Sequence, residues 1–438
     1  MGETPKTALP RLCVRLNLMT QMTVLHLSTS DIDNGGARAA YRLNKGLQNL
    51  GVDSRMLVRA KFSADKTVIA EKSLLTKAGP QLAKLPLKLY SKRTSGMFSP
   101  QWIPDAIAPK VAQLNPDIIH LHWICNGFIN IETLAKFNKP IVWTLHDMWP
   151  FTGGCHYSES CKGYKEFCGS CPQLRSNRNW DLSRWIWQRK AKAWQKLNLT
   201  IVSPSYWLAE CSKSSSLFEE VPTEVIYHGI DLETYKPLNR HLAREVLNLP
   251  QDKKLVLFGA SPGTTGHLRK GYQFLDPALQ NLGKSGWQEQ LELAIFGAAK
   301  PVNPDNLSFK ANYLGSFRDD ISLALVYSAA DVVVVPSMEE AFGLIASEAL
   351  ACGTPVVAFA ATGLRDIVDH QQNGYLAQPF EVEDLARGIA WVIEDDSRYQ
   401  NLRLCAREKA EREFDMTLQA QRHLALYASL VQGVRSQE

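Results

Sequence analysis

The stretch Asp331–Phe359, DVVVVPSMEEAFGLIASEALACGTPVVAF, constrains the fold of this chain more than any other stretch. Its run of valines predicts a strand buried on both faces, because strands inside a parallel sheet carry apolar residues without alternation. Pro336 ends that strand, and the segment Phe342–Cys352 predicts a helix that Gly353 terminates. The apolar segment Val356–Phe359 predicts a second buried strand. Together these elements predict a β-α-β unit of a parallel sheet.

The loop and helix of this unit carry two carboxylates, Glu340 and Glu348, eight positions apart. At a rise of ~1.5 Å per helical residue they are separated by roughly 12 Å, the length of a sugar, a diphosphate and part of a ribose. Between them, the first N–H groups of the helix, at Phe342, Gly343 and Leu344, have no helical partner and favour a phosphate. The alternative is a surface helix with two solvated glutamates.

The segment EEAFGLIASEALACGTPVVA resembles the E-x7-E signature of retaining glycosyltransferases of family 4, which have the GT-B fold. The resemblance implies that Glu340 contacts the donor sugar in catalysis and that Glu348 holds the ribose. It also implies an α/β architecture of two Rossmann-like, doubly wound parallel-sheet domains that face each other across a cleft. In this fold the C-terminal helix crosses back onto the first domain.

The length of the chain, 438 residues, is too great for a single hydrophobic core, so two domains are expected. The first is expected to face the acceptor and to contain a cysteine-rich insertion at 150–175. The predicted division is a disordered leader 1–21, an N-terminal domain 22–220, a nucleotide-sugar-binding domain 221–412 and a returning helix 413–438.

The sequence predicts a cytoplasmic protein, because no apolar run reaches the roughly eighteen residues that span a bilayer and 1–21 is no clear signal peptide. The net charge of +5 is mild and indicates no nucleic-acid partner. The segment 74–93, LLTKAGPQLAKLPLKLYSKR, mixes leucine and lysine at near-helical spacing. Such a segment can contact an anionic membrane at its inner face. A solvated helical face packed on the domain is an equal alternative.

A glycine loop follows the first predicted strand, Thr23–Thr29. Gly35 and Gly36 precede a helical segment and resemble the family's N-terminal glycine loop, which lies near the transferred sugar and the acceptor. Arg38, in the first helical turn, is predicted to face the acceptor or a phosphate. A plain strand-to-helix connection and a solvated arginine are the alternatives.

Two more buried strands, Asp117–Trp123 and Pro140–Asp147, carry histidines near their ends. His146 lies at a strand's carboxyl end, where sites on parallel sheets form, and family members carry a histidine at a comparable strand end. We predict that His146 orients the sugar or stabilises developing charge. A core histidine whose ring is satisfied by backbone groups is the competing interpretation for His120 and His122, and we favour it for His120.

Four cysteines cluster in the insertion with the spacing C-x5-C-x6-C-x2-C. The C-x2-C pair is typical of structural zinc sites, and four thiolates complete a tetrahedral shell. His156 is an alternative ligand, and a metal-free loop is the competing interpretation. The predicted zinc ligands are Cys155, Cys161, Cys168 and Cys171.

The loop Gly259–Gly271, GASPGTTGHLRKG, is a predicted phosphate loop. The family has an arginine early in this loop and a lysine before a glycine, and both hold the diphosphate. This chain keeps Lys270 but has Ala260 in place of the arginine. We predict that Arg269 substitutes for that arginine, that Lys270 stabilises the leaving group in catalysis, and that Gly363 lies near the donor phosphate.

The residues and the resemblance together predict a retaining, hexosyltransferase-type enzyme whose catalysis needs no metal. It would move a sugar from a nucleotide-diphospho-sugar to a glycan or lipid-linked acceptor in polysaccharide biosynthesis. A nucleotide-sugar epimerase or phosphorolytic enzyme of the same fold is a second hypothesis, and a non-catalytic sugar-binding scaffold is a third. An NAD-dependent oxidoreductase is disfavoured because no G-x-G-x-x-G follows the first strand of either domain.

Overall fold

The computed structural model describes residues 22–259, 268–297, 307–317 and 319–435. The predicted leader 1–21 and residues 260–267 of the predicted phosphate loop, with Ala260, lie outside the described residues.

The chain divides into two compact units. Of the described residues, the N-terminal unit contains 22–204, 208–229 and 416–435. The C-terminal unit contains 205–207 and those described between 230 and 415. Each unit is built on one parallel sheet.

The described strands form two sheets. The strands of the first sheet are β1 (Thr23–Ser30), β2 (Asp53–Ala60), β3 (Val68–Ala70), β4 (Ile118–Leu121), β5 (Ile141–Thr144), β6 (Leu199–Ser203) and β7 (Thr223–Val225). The strands of the second sheet are β8 (Lys254–Gly259), β9 (Leu291–Phe296), β10 (Ala311–Gly315), β11 (Val332–Val335), β12 (Val356–Phe359) and β13 (Gly374–Ala377).

α-Helices separate most of the described strands along the chain. They are α1 (Gly35–Asn49), α2 (Leu74–Leu82), α3 (Ile107–Leu114), α4 (Leu182–Trp194), α5 (Tyr206–Lys213), α6 (Arg240–Val246), α7 (Tyr272–Leu282), α8 (Asp320–Ala329), α9 (Leu344–Ala351), α10 (Leu364–Ile367), α11 (Val382–Ile393), α12 (Asp396–Glu413) and α13 (Met416–Arg435). In the described part of the chain, no helix is both long and apolar enough to cross a membrane.

Both sheets have the strand order of a doubly wound fold. The first runs β3-β2-β1-β4-β5-β6-β7 and the second runs β10-β9-β8-β11-β12-β13, and the strand pairs in both are parallel. In each sheet the chain starts in the middle, builds one edge and then returns to build the other. The predicted architecture of two doubly wound parallel-sheet units is therefore confirmed.

The last helix, α13, belongs to the N-terminal unit although it follows the C-terminal unit in sequence. Its Ala420 and Tyr427 join a core cluster that includes Val24 of β1 and Leu43 of α1. Gly46 of α1 lies so close that a Cβ on it would be 3.0 Å from the Cβ of Ala420. The chain thus returns to the N-terminal unit, as the GT-B resemblance implies.

The predicted β-α-β unit is present as β11, α9 and β12, and β11 pairs with β12 in parallel. The prediction of a helix over Phe342–Cys352 was too long, since α9 begins at Leu344 and ends at Ala351. Gly343 has φ of 117°, a left-handed conformation that cannot continue a helix toward its N-terminus. Two strands are also shorter than predicted, so His122 follows β4 and His146 follows β5.

Candidate active site

An ion pair joins two predicted donor-binding segments of the C-terminal unit. Lys270 Nζ donates to Glu340 Oε1 at 2.5 Å, and Arg269 Nη1 lies 3.8 Å from Glu340 Oε2. Ser337 Oγ also donates to Glu340 Oε1, at 3.0 Å. The fold thus brings two cations to one carboxylate in the loop that follows β11.

Gly271 allows this ion pair to form. Its φ is 75°, and a Cβ on it would lie 1.7 Å from the carbonyl oxygen of Pro336. Only a glycine fits such a close approach of two backbones. The turn after Lys270 therefore packs directly against the end of β11.

The backbone of Glu340 is held by the loop that follows β12. Glu340 N donates to Thr362 Oγ1 at 3.1 Å, and Gly363 N donates to the carbonyl oxygen of Glu340 at 3.0 Å. A Cβ on Gly363 would lie 2.7 Å from the carbonyl oxygen of Ala341. Gly363 is therefore needed for this backbone contact, and its predicted contact with a donor phosphate stays a prediction.

The start of α9 offers backbone groups rather than side chains. Among the residues that the structure describes, no side chain makes a capping hydrogen bond to its first turn after Gly343. The side chain of Phe342 is buried and packs edge-on against Phe414, with ring centroids 5.6 Å apart. Phe342 therefore supports the core with its ring, and the predicted anion contacts at Phe342, Gly343 and Leu344 rest on main-chain amides.

Glu348 lies within α9 and is only 4% exposed. Its Oε2 accepts a hydrogen bond from the phenol of buried Tyr327 at 2.9 Å. The structure thus gives Glu348 a fixed orientation, and its predicted role as ribose ligand stays a prediction.

The electrostatic surroundings keep Glu340 ionised. Burial raises the pKa of its carboxyl, but Lys270 and Arg269 outweigh burial and hold the pKa below its ordinary value. A buried carboxylate that is paired in this way keeps its charge near neutral pH and can accept hydrogen bonds from hydroxyl groups.

In the N-terminal unit, the glycine loop and His146 come together. Gly36 is the second residue of α1, and a Cβ on it would lie 3.2 Å from His146 Nδ1. Asn34 caps the helix by accepting from Ala37 N at 3.0 Å, and Gly35 is exposed at the helix start. Arg38 Nε donates to the carbonyl oxygen of Ile32 at 3.4 Å, so part of its side chain supports the loop.

His146 is one of several histidines that contact each other. His122 Nδ1 lies 3.1 Å from His146 Nε2, and the ring of His146 stacks on that of His228 with centroids 5.1 Å apart. Burial lowers the pKa of His146 to about 4, although Asp147 opposes that effect. His146 is therefore a neutral, half-buried imidazole beside the glycine loop.

His120 is buried, which confirms its predicted core position, but the prediction that backbone groups satisfy its ring is wrong. Its Nδ1 lies 2.5 Å from the phenol oxygen of Tyr427 and its Nε2 lies 2.7 Å from Thr144 Oγ1. Both ring nitrogens are thus satisfied by neighbouring side chains.

Two families match the chain. Residues 33–234 match the family described as Glycosyltransferase Family 4, and residues 240–409 match Glycosyl transferases group 1. A protein of Nocardioides sp., named D-inositol 3-phosphate glycosyltransferase, is 31% identical over 432 residues, which cover 91% of this chain and 87% of that protein.

The chain is a family 4 glycosyltransferase. A second relative named D-inositol 3-phosphate glycosyltransferase, from Mycolicibacterium vanbaalenii, is 29% identical over 410 residues. The match covers 86% of this glycosyltransferase and 83% of that protein. Another, in Xylanimonas cellulosilytica, is 37% identical over 221 residues, and that match spans 47% of this chain and 50% of that protein. The chain thus spans about half the length of this last relative.

Solved structures confirm the GT-B fold of this glycosyltransferase. Sucrose-phosphate synthase from Thermosynechococcus elongatus superposes with a TM-score of 0.66 at 21% identity, covering 94% of this chain and all of that one. Anabaena HepE, solved in complex with UDP-glucose, gives a TM-score of 0.63 at 20% identity and covers 93% of this chain. At these identities the likeness establishes the fold alone.

The cysteine-rich insertion of the glycosyltransferase holds four free thiols, Cys155, Cys161, Cys168 and Cys171. Backbone N–H groups donate to two of the sulfurs, from Gly163 to Cys161 at 3.4 Å and from Gly153 to Cys168 at 3.2 Å. Such donors stabilise thiolates. Burial raises the pKa of Cys155, and the nearby thiols of Cys168 and Cys171 raise it further. The four cysteines are therefore neighbours.

The sulfurs do not form a closed shell in this arrangement. Among the described residues, the group of three side chains whose potential ligand atoms all lie within 4.8 Å of one another consists of His26, His120 and His122, and it contains no cysteine. The zinc site at the cysteines stays a prediction. In this structure His156 Nδ1 lies 2.6 Å from Asp147 Oδ2 and its Nε2 lies 2.8 Å from Ser99 Oγ. The alternative in which His156 replaces a cysteine likewise stays a prediction.

Sequence reasoning missed several polar residues that position this glycosyltransferase's site residues. Ser337 and Thr362 hold Glu340, and His26 contacts His122. A signal existed for His26, which stands between two leucines in the otherwise apolar strand β1. A histidine at such a position must find a buried polar partner.

Proposed function

We propose that this glycosyltransferase moves a sugar from a nucleotide-diphospho-sugar to a glycan or lipid-linked acceptor, with retention of the anomeric configuration. The observation that carries the proposal is the cluster of Glu340, Lys270 and Arg269 in the C-terminal unit, with Lys270 Nζ 2.5 Å from Glu340 Oε1. A carboxylate that would accept hydrogen bonds from sugar hydroxyls lies beside two cations that would hold a diphosphate.

The donor would lie along this cluster. Lys270 and Arg269, with the amides of Gly343 and Leu344, would stabilise the charge that develops on the diphosphate leaving group. Glu348 would hold the ribose hydroxyls. The UDP-glucose bound to Anabaena HepE, which shares the fold, supports a nucleotide-sugar donor.

The chemistry breaks the bond between the anomeric carbon and the diphosphate oxygen and forms a bond from that carbon to the acceptor oxygen on the same face. The acceptor's hydroxyl proton passes to the leaving phosphate. Catalysis would need no metal, because side-chain cations and main-chain amides supply the electrostatic stabilisation.

The acceptor would approach Gly35, Gly36, Arg38 and His146 in the N-terminal unit. A growing polysaccharide or a lipid-linked glycan is the proposed acceptor. Because two relatives are named D-inositol 3-phosphate glycosyltransferase, D-inositol 3-phosphate should be included among the acceptors that are tested.

Thermal shifts with a panel of nucleotide sugars test the donor, since a ligand that binds the folded state raises the melting temperature. The donor found is then incubated with the acceptor panel, and NMR reads the anomeric configuration of the product. An inverted product would overturn retention. Turnover without any acceptor, or release of sugar phosphate, would favour the epimerase or phosphorolytic alternative.

We also propose that the segment 74–93 contacts an anionic membrane, at the inner face of the cytoplasmic membrane. Leu74 and Leu89 are 82% and 85% exposed. Lys84, Lys88 and Arg93 of the same segment line one surface concavity. Exposed leucines next to clustered cations match the interface of anionic lipids.

Cosedimentation with vesicles tests this contact. Binding to phosphatidylglycerol vesicles and not to phosphatidylcholine vesicles is expected, with loss of binding in Lys84→Ala/Lys88→Ala. Equal binding to both vesicle types, or to neither, would contradict it.

A further inference from the structure

A row of hydrogen bonds crosses the N-terminal sheet and ends at His146. It begins at Asn44 on α1, whose Oδ1 accepts from Ser54 Oγ at 2.8 Å. Ser54 lies on β2, His26 on β1, His122 directly after β4 and His146 shortly after β5. Because these strands are neighbours in the order β2-β1-β4-β5, the row takes one side chain from each in turn.

With the Asn44 amide oriented so that its Oδ1 faces Ser54, the first bond sets the direction of all the others. Ser54 donates its hydroxyl to Asn44, so Ser54 Oγ accepts from His26 Nε2–H at 3.1 Å. His26 then has its lone pair on Nδ1 and accepts from His122 Nε2–H at 2.9 Å. His122 Nδ1 accepts in turn from His146 Nε2–H at 3.1 Å. A neutral imidazole has one N–H, so each ring in the row is fixed in one tautomer.

The surroundings keep these rings neutral. Burial lowers the pKa of His26 to about 3, with a further effect from His423, and lowers the pKa of His146 to about 4. Burial also holds the pKa of His122 well below its ordinary value, with help from neighbouring histidines. A doubly protonated histidine, whose two N–H groups would reverse one hydrogen bond of the row, is therefore disfavoured.

The last nitrogen of the row faces the glycine loop. A Cβ on Gly36 would lie 3.2 Å from His146 Nδ1. Within the described residues, the one hydrogen bond of the His146 ring is that from Nε2 to His122. The Nδ1 lone pair is thus left for a group that comes from outside the unit.

We propose that this histidine row, Asn44, Ser54, His26, His122 and His146, holds His146 as its Nε2–H tautomer and presents Nδ1 beside Gly36 to accept a hydrogen bond from a substrate hydroxyl. The inference rests on the proposed function and deepens it. In this proposal the substrate hydroxyl that contacts His146 donates the hydrogen bond. Ser54, His26 and His122 are positioning residues for His146.

The tautomer is measured directly by long-range 1H–15N NMR on protein labelled at histidine, with His146 assigned by its loss in His146→Gln. In the unliganded wild type at neutral pH, the expected pattern for His146 is a protonated Nε2 and an unprotonated Nδ1. A protonated Nδ1, which the opposite orientation of the Asn44 amide would produce, overturns the proposal.

Two variants at Ser54 test whether the row sets this tautomer. Ser54→Ala removes the hydroxyl that fixes the direction, so a mixture of His146 tautomers is expected, with kcat lowered about 3- to 10-fold and the KM for the donor little changed. Ser54→Thr keeps the hydroxyl and is expected to restore both the tautomer and kcat. A single Nε2–H tautomer in folded Ser54→Ala would overturn the proposal.

These measurements distinguish a failure of the proposed histidine row from a failure of the proposed glycosyl transfer. The NMR pattern needs no substrate, so it tests the row even if no glycosyl transfer is found. Conversely, wild-type transfer combined with a protonated Nδ1 would leave the proposed function standing and remove the row's role.

Discussion

Lys270 Nζ and Glu340 Oε1 lie 2.5 Å apart. The side chain that we predict to bind the donor's phosphate therefore neutralises the side chain that we predict to bind its sugar. Neither charge is fully exposed, with 32% of the lysine side chain and 14% of the glutamate side chain accessible. A diphosphate that binds at Lys270 would compete with Glu340 for the ammonium group. The carboxylate would then be released to accept hydrogen bonds from the sugar that the diphosphate carries.

This relationship predicts the effect of Glu340→Ala. Transfer is expected to fall at least about 100-fold, because a preorganised charge at the reacting sugar is lost. The fold should persist, since the cations left behind are partly exposed. Initial rates with saturating donor, together with a thermal melt, measure both effects.

Glu394→Ala is the matched control. Glu394 pairs with Arg398 at 2.8 Å on the surface, and a surface pair contributes little to stability. Its transfer rate should equal that of the wild type. Full activity of Glu340→Ala would show that the carboxylate has no part in the reaction.

The stability contributed by the Glu340 carboxylate should depend on pH. Its folded pKa is lowered below the ordinary value of 4.5, because Lys270 and Arg269 outweigh the opposing effect of burial. A group of this kind stabilises the fold above its unfolded pKa, and the contribution is lost as pH falls through the folded pKa.

Urea unfolding of the wild type and Glu340→Gln at a series of pH values measures this contribution. The difference in free energy of unfolding is expected to be constant from pH 7 to pH 5 and to shrink below about pH 4. A difference that persisted unchanged down to pH 3 would refute the lowered pKa.

Gly271 is expected to be intolerant of a side chain. A Cβ in Gly271→Ala would lie 1.7 Å from the Pro336 carbonyl oxygen, and φ at this position is 75°. We expect a loss of at least about 3 kcal/mol in the free energy of unfolding, since backbone must move to remove the overlap. Denaturant unfolding measures it.

Gly286→Ala separates the overlap from backbone strain. Gly286 also has a positive φ, 94°, but a Cβ there would meet nothing within 4 Å. Its expected cost is about 1 kcal/mol, from the left-handed conformation alone. Equal losses in the two variants would show that Pro336 does not restrict position 271.

The sequence predicts those features that depend on neighbours in the chain. The valines of β11 and the helix α9 follow from local pattern, as does the core position of His120. The partners of His120 do not, because they are side chains from distant segments and not the backbone groups that were predicted. The start of α9 was predicted two residues early, because the φ of 117° at Gly343 depends on packing. A Cβ on Gly343 would lie 2.7 Å from the side chain of Leu364, which no local pattern reveals.

The candidate site was harder to predict because its contacts join distant segments. The pairing of Lys270 with Glu340 spans 70 positions and depends on how the Gly271 turn meets Pro336. Each of the two charges was visible in the sequence, but their mutual neutralisation was not. The contact of His26 with His122 likewise spans 96 positions and needs the order of the strands.

The zinc prediction is tested by metal content. We expect one zinc per chain by mass spectrometry of protein purified without chelator, and loss of zinc in Cys171→Ser. The melting temperature of that variant should fall by at least about 5 °C, because binding free energy of a structural zinc contributes to folding. Cys405→Ser, a free and partly buried thiol outside the insertion, should keep the zinc. If wild-type protein freed of metal melted at the same temperature as untreated protein, the zinc prediction would be wrong.

Gly36→Ala should reduce transfer without reducing stability. The added methyl group would stand 3.2 Å from His146 Nδ1 and restrict access to the atom that we expect to accept a substrate hydroxyl. Alanine in the first turn of α1 costs the helix nothing, because alanine has the highest helix propensity. A loss of about tenfold in kcat/KM with an unchanged or higher melting temperature is therefore expected. Gly433→Ala, where the new Cβ meets nothing within 4 Å, should leave both quantities near those of the wild type. If Gly36→Ala transferred sugar at the wild-type rate, the space beside His146 Nδ1 would not be part of the substrate site.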